Sequence, residues 1–89
     1  MPTISLFYGI LIYMYFYDKD HHHLAHFHAS YGEFEAVFSI EEGDLLEGKF
    51  PKNKRKLVQA WAEIHRDDLM ADWRLAVMGQ NPLPIKPLD

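Results

Sequence analysis

His26 and His28 are the residues of this sequence whose type and spacing best suit chemistry. They lie in a segment that alternates polar with apolar residues, turns at Gly32 and alternates again, which is the pattern of a β-hairpin with one buried face. Side chains on a strand alternate between the two faces of a sheet, so both imidazoles share the face opposite Phe27. Two imidazoles on one face can bind a metal ion or transfer protons near neutral pH.

Metal binding is the first chemistry that this pair suits. His26 and His28 could be joined by a loop histidine, His22 or His23, and by a carboxylate, Glu33 or Glu35. Three such nitrogen and oxygen ligands would hold a divalent ion such as zinc and leave one position open for catalysis. The alternative is that the strand histidines are partly exposed and hydrogen-bond nearby tyrosines. The spacing alone favours this alternative, so we expect no cofactor and keep a zinc site as the second interpretation.

General acid–base catalysis is the second chemistry, because an imidazole titrates near neutral pH and a neighbouring carboxylate or phenol can orient it. His28 with Glu35 or Tyr15 on a neighbouring strand would form such a pair. The sequence has no serine–histidine–acid order, no phosphate-binding glycine loop and no cofactor fingerprint. It therefore favours a binding protein over an enzyme, with a metal-dependent hydrolase or nuclease as the alternative.

The strands that position these residues are predicted from hydrophobic periodicity and turn residues. Residues 10–17 are all apolar or aromatic, and their branched and aromatic content predicts a strand. Residues 26–38 predict the hairpin, and residues 45–50 predict a short further strand that ends before Pro51. Residues 1–9 are predicted to form an arm that leads into the sheet.

Residues 52–79 are predicted to be helical, because they contain no proline and no glycine before Gly79, where a C-terminal cap is expected. Apolar and aromatic residues recur there at helical spacings as one stripe, which consists of Val58, Trp61, Ala62, His65, Leu69, Trp73 and Ala76. A single helix of this length would extend about 40 Å. Since that is long for so small a domain, we favour a break near residues 66–68. Residues 80–89 contain three prolines and are predicted to form an extended tail along a sheet edge.

These elements predict one α+β domain: an antiparallel sheet of three to four strands, with one long or two shorter C-terminal helices packed on one face. The other face of the sheet would be open and would serve as a binding surface. The contact residues predicted on that face are Tyr13, Tyr15, His26, His28 and Glu35, with Tyr17, Ser30, Glu47 and Lys49 beside them.

Composition narrows the partners and the location. The chain has 89 residues, a net charge of −4 and no cysteine, so it suits a reducing cytoplasm and offers no thiolate metal site. The apolar run over residues 4–17 is shorter than the about 20 residues that span a bilayer, and it lacks the basic start of a signal peptide. The acidic balance argues against nucleic-acid binding except within a complex. We therefore expect a cytoplasmic protein that binds a small partner protein or a second copy of itself.

Several short motifs carry a resemblance to a known family. They are Pro2-Thr3-Ile4-Ser5, Phe7-Tyr8-Gly9, Met14-Tyr15-Phe16, His26-Phe27-His28-Ala29 before Tyr31-Gly32, Leu46-Glu47-Gly48, Trp61-Ala62-Glu63-Ile64-His65, Trp73 and Ile85-Lys86-Pro87-Leu88. Over essentially its whole length the chain resembles the bacterial domain-of-unknown-function family 4160. It departs from the family's pattern at Ala25, where the family usually has a proline before the His-x-His element.

The family has no established activity, so the resemblance implies a context rather than a mechanism. It implies a small cytoplasmic protein of bacteria whose gene often lies beside that of another small uncharacterised family, in pairs like toxin–antitoxin modules. A protein partner is thereby implied. This agrees with the tyrosine-rich face predicted from the residues, because aromatic side chains are enriched at the cores of interfaces.

Overall fold

A computed structural model describes residues 2–16 and 24–89. Its elements are five strands, β1 (Thr3–Phe7), β2 (Ile10–Tyr13), β3 (His26–Tyr31), β4 (Phe34–Ser39) and β5 (Leu45–Gly48), followed by two helices, α1 (Lys52–Ile64) and α2 (Arg66–Val77). The strands form one sheet in the order β1-β2-β3-β4-β5, and every neighbouring pair is antiparallel. The predicted α+β class is confirmed, with one strand more than predicted.

The extra strand is β1, which lies in the segment predicted to be an arm. Tyr8 and Gly9 connect β1 to β2 with φ values of 49° and 78°, and positive φ at both residues suits a two-residue hairpin turn. The pairing of the two strands is irregular between Thr3 and Ser5, and both Ile4 and Ser5 are buried. This bulge breaks the alternation by which a strand is recognised, so the arm prediction was wrong.

The remaining strands lie where they were predicted, but two of them end earlier in the chain than predicted. The hairpin of β3 and β4 turns at residues 32–33, as predicted. Strand β2 ends at Tyr13 rather than at Tyr17, which lies outside the described residues, as do the histidines at positions 21–23. Strand β5 ends at Gly48, two residues before the predicted end.

The core lies between one face of the sheet and the helices. Phe27, Ala29 and Phe38 project from β3 and β4 and are fully or almost fully buried. Trp61 of α1 fills the space above them, with its ring centroid 5.9 Å from that of Phe27 and 5.3 Å from that of Phe7. The burial of these large aromatic side chains provides much of the hydrophobic stabilisation of so small a domain.

The helical half consists of two helices with a break at His65, so the two-helix alternative is the correct one. His65 has φ −110° and ψ 26°, which is outside the α-helical range. At the other end of α2, Gly79 adopts φ 78°. The N–H groups of Gly79 and Gln80 donate to the carbonyls of Ala76 and Leu75, which is the Schellman arrangement expected at a helix end. Neither helix of the described chain has the length and hydrophobicity that a membrane span requires.

The C-terminal tail, residues 80–89, runs as an extended segment between the helices and the edge strand β1. Hydrogen bonds to α1, α2 and β1 attach it. The Leu83 N–H donates to Asp72 Oδ1 at 2.9 Å, the Ile85 N–H donates to the Ile4 carbonyl at 2.8 Å, and the Trp61 indole N–H donates to the Lys86 carbonyl at 2.9 Å. The tail therefore covers part of an edge that would otherwise present unpaired backbone groups.

Asp72 is buried beneath this tail with only 3% of its surface exposed. Its Oδ1 accepts the Leu83 hydrogen bond, while its Oδ2 has no hydrogen-bond partner among the described residues. Burial raises the pKa of Asp72 above its ordinary value of 3.8, and the nearby Asp68 raises this pKa further, against a lowering by the Leu83 hydrogen bond. Lys86 and Asp68 line the same small cavity as Asp72.

We expect Asp72→Asn to remove the part of the pH dependence of the unfolding free energy that comes from the Asp72 carboxyl group. Because the pKa of Asp72 is higher in the folded than in the unfolded chain, the folded state binds more protons. The contribution of Asp72 to the free energy of unfolding therefore falls as the pH rises from the unfolded-state pKa through the folded-state pKa. Urea unfolding at acidic to neutral pH should show Asp72→Asn gaining stability relative to the wild type as the pH rises. The exposed Asp67→Asn is the control, and parallel pH curves for wild type and Asp72→Asn would contradict the expectation.

Candidate functional site

A cavity of about 350 Å³ opens on the sheet face opposite the core face of β3 and β4. Its lining residues come from the end of β2 and from three further strands: Tyr13, Tyr15, His28, Glu35, Ala36, Val37, Glu47 and Gly48. Of the residues predicted for the binding surface, the structure brings Tyr13, Tyr15, His28 and Glu35 together here, with Glu47 beside them. Ser30 and Lys49 do not line the cavity.

Strand register brings these side chains together. His28 on β3 pairs with Tyr13 on β2 and with Val37 on β4, and Val37 pairs with Glu47 on β5. Residues that pair directly across neighbouring strands place their side chains on the same face, a few ångströms apart. Glu35 lies two residues before Val37 and therefore shares that face. One cross-strand row thus runs from a phenol at one side to a carboxylate at the other.

Three rings, Tyr13, Tyr15 and His28, form an aromatic cluster at one side of the cavity. The rings of Tyr13 and His28 are stacked with a centroid distance of 5.3 Å and an interplanar angle of 17°. The ring of Tyr15 stands edge-on to both, at 4.6 Å from His28 and 5.6 Å from Tyr13. Such offset and edge-to-face contacts are favourable beyond area burial, so the cluster forms a firm wall for the cavity.

The environment of Tyr13 keeps its phenol neutral. Only 3% of Tyr13 is exposed, and burial is the largest cause that raises its pKa to about 12. The charges of Tyr15 and Glu35 and a side-chain hydrogen bond with Tyr15 raise the pKa of Tyr13 further. A phenol with this pKa remains protonated at neutral pH, so Tyr13 takes part in the site as a hydrogen-bonding neutral group and not as a base.

His26 lies apart from the cavity, although it is on the same strand face as His28. His26 is fully buried. The centroid of its ring lies 4.8 Å from that of Trp73 on α2 and 5.4 Å from that of His28. Its Nδ1–H donates to the Leu24 carbonyl at 2.9 Å. The expectation of a partly exposed His26 on an open surface was wrong, because α2 covers that end of β3.

Only some of the ligands predicted for a metal site lie within the described residues. His26 and His28 are neighbours, and Glu35 lines the same cavity as His28, whereas Glu33 lies exposed in the turn between β3 and β4. His23, the predicted third ligand, lies outside the described residues. Over residues 2–16 and 24–89, no group of three or more histidine, cysteine or acidic side chains is arranged to hold a metal ion.

Gly48 is a part of the site that was not predicted from the sequence. Gly48 lines the cavity at the end of β5 with φ 89°, and its Cα lies against the backbone of Glu35 and Ala36. A glycine in the interior of a predicted strand, as Gly48 is in the strand predicted over residues 45–50, can mark such a close backbone approach. This was the available signal, in the Leu46-Glu47-Gly48 motif.

Comparison with known proteins gives one match. The model of the family described as "Domain of unknown function (DUF4160)" matches residues 9–74, which is more than half of the chain and includes every residue that lines the cavity. No curated protein and no solved structure matches the chain.

Proposed function

The chain belongs to the DUF4160 family, and from the geometry of its sheet face we propose that it is a small cytoplasmic binding module that acts through a protein partner. The observation that carries this proposal is the aromatic cluster beside the cavity, where Tyr15 leaves 43% of its surface exposed. Partly exposed tyrosines on a firm scaffold are typical of interface cores, because they offer a large apolar area together with a hydroxyl group.

Apolar side chains on the same sheet face, half-buried at Leu11 and exposed at Leu6, support a protein partner. Leu11 lies two residues before Tyr13 on β2 and pairs with Leu6 on the edge strand β1. Leu6 is 59% exposed. Together with Tyr15 these leucines add apolar side chains to this face beyond the cavity, and exposed apolar area suits protein association.

The partner that the family resemblance implies is the product of a neighbouring small gene, so we propose that the chain is one half of a toxin–antitoxin-like pair. A second copy of the chain is the other partner to be tested. Purified protein alone, in a measurement of mass in solution, separates the two, because a homo-oligomer forms without the neighbouring gene's product.

Tyr15→Ala should weaken capture of the neighbouring gene's product about tenfold or more, since truncation of an aromatic residue at the centre of an interface commonly costs that much affinity. Affinity is measured by calorimetry on the purified pair. Met78→Ala is the matched control, because Met78 is 60% exposed but lies beyond α2 and away from the cavity. Unchanged affinity after alanine substitution of Tyr13, Tyr15, His26 and His28 in turn would overturn the proposal.

A metal-dependent hydrolase or nuclease is the alternative proposal, supported by the 5.4 Å separation of the His26 and His28 rings. It requires further ligands from a loop histidine and from Glu33 or Glu35. The metal content of untagged protein, purified without a nickel column, decides between the two proposals. One ion per chain that is lost in a His26→Ala/His28→Ala variant would favour the hydrolase and justify nuclease and hydrolase assays.

A further inference from the structure

The cavity beside the aromatic cluster carries negative charge. Glu35 and Glu47 both line it, and none of the described lining residues is lysine or arginine. Two carboxylates at one cavity favour a cation over an anion, so charge complementarity indicates a positively charged occupant.

The aromatic cluster adds a second attraction for a cation. The ring faces of tyrosines attract lysine and arginine side chains, and this attraction grows when the cation is shielded from water. Tyr15 is the exposed member of the cluster, while Tyr13 and His28 are fixed by stacking on each other. A cation that enters between the rings and the two glutamates would therefore contact an aromatic wall on one side and carboxylates on the other.

The shape of the site favours a guanidinium over an ammonium. Arginine is planar, stacks on aromatic rings and donates in parallel to both oxygens of one carboxylate, whereas the ammonium of lysine is a compact, strongly hydrated charge. The cavity volume of about 350 Å³ admits a group much larger than an ammonium ion. Resting on the proposed function above, we infer that this cavity accepts an arginine side chain of the protein partner.

The test uses N-acetyl-arginine amide as the probe and its citrulline counterpart as the neutral control of the same shape. Binding is followed by NMR through the ring signals of Tyr15 and His28. We expect the arginine probe to shift these signals and the citrulline probe to bind at least about tenfold more weakly. Added salt should weaken the complex with the arginine probe. Equal binding of the two probes, or no shift with the arginine probe, would overturn the inference.

Glu35→Gln should weaken the arginine probe about tenfold, because the charged hydrogen-bond acceptor is replaced by a neutral one. Glu33→Gln is the matched control, since Glu33 is exposed in the adjoining turn and does not line the cavity. Partner capture separates the two proposals. Capture that depends on Tyr15 but not on Glu35 retains the binding module and overturns the arginine inference. Capture that is insensitive to alanine at each of Tyr13, Tyr15, His26 and His28 overturns the proposed function itself.

Discussion

Gly48→Ala is expected to lower the free energy of unfolding by about 3 kcal/mol or more. A Cβ atom at this position would collide with the carbonyl oxygen of Glu35 and would lie 2.9 Å from the Cα of Ala36. Both obstacles are backbone atoms of β4, which cannot move aside without disturbing the pairing of β4 with β5. The φ of Gly48, 89°, adds strain because an L-amino acid with a side chain rarely adopts it.

Gly32→Ala is the matched control for this substitution. Gly32 has a φ of 57°, and a Cβ atom there would meet nothing within 4 Å. The control therefore carries only the cost of the left-handed backbone, about 1 kcal/mol. Urea unfolding of both variants measures the difference. Equal losses of unfolding free energy in the two variants would contradict the close approach at Gly48. If the Gly48→Ala variant still folds, binding of the arginine probe to it shows whether the cavity has changed.

The second large effect is expected at Trp61, where replacement by alanine should cost about 3–5 kcal/mol. Trp61 is fully buried, contacts Phe7 and Phe27, and donates its indole N–H to the Lys86 carbonyl of the tail. The alanine variant loses the packing of the core and the attachment of the tail together. For a domain whose total stability is of the order of 5–15 kcal/mol, such a loss leaves a substantial unfolded population.

Trp61→Phe separates the two contributions, because phenylalanine retains much of the packing but leaves the Lys86 carbonyl without its donor. A loss of about 1–3 kcal/mol is expected from the missing hydrogen bond and the smaller ring. Ile64→Ala serves as the control on the same helix, since Ile64 is 67% exposed, and its loss should remain within about 0.5 kcal/mol. Thermal and urea unfolding give these values. A Trp61→Ala variant as stable as Ile64→Ala would show that the core is not organised around Trp61.

These two positions link the stability of the fold to the candidate site. Gly48 and Glu35 lie in adjacent strands and both line the cavity. The close backbone approach at Gly48 therefore sets the distance between the two strands that carry Glu35 and Glu47. Trp61 packs against the opposite face of the sheet. The strands that carry Tyr13, His28 and Val37 are therefore supported by a packed core on their other face.

Local signals along the chain were enough to predict several elements of the fold. The alternation through residues 26–38 predicted the β3–β4 hairpin, its turn and its core face, because strand geometry has a period of two residues. Gly79 predicted the end of α2, since the left-handed cap requires a residue without a side chain. The two-residue period of each predicted strand also placed Tyr13, His28, Glu35 and Glu47 on one face, which is the face on which the cavity opens.

The accessibility of those side chains depends on tertiary packing, which the local pattern does not report. His26 and His28 are equivalent in the sequence pattern, yet α2 places Trp73 over His26 and leaves His28 at the cavity. The close approach at Gly48 likewise depends on the pairing of β5 with β4. Periodicity reports which face a residue occupies, but its exposure depends on what packs against that face, and packing between distant segments leaves no local signal in the sequence.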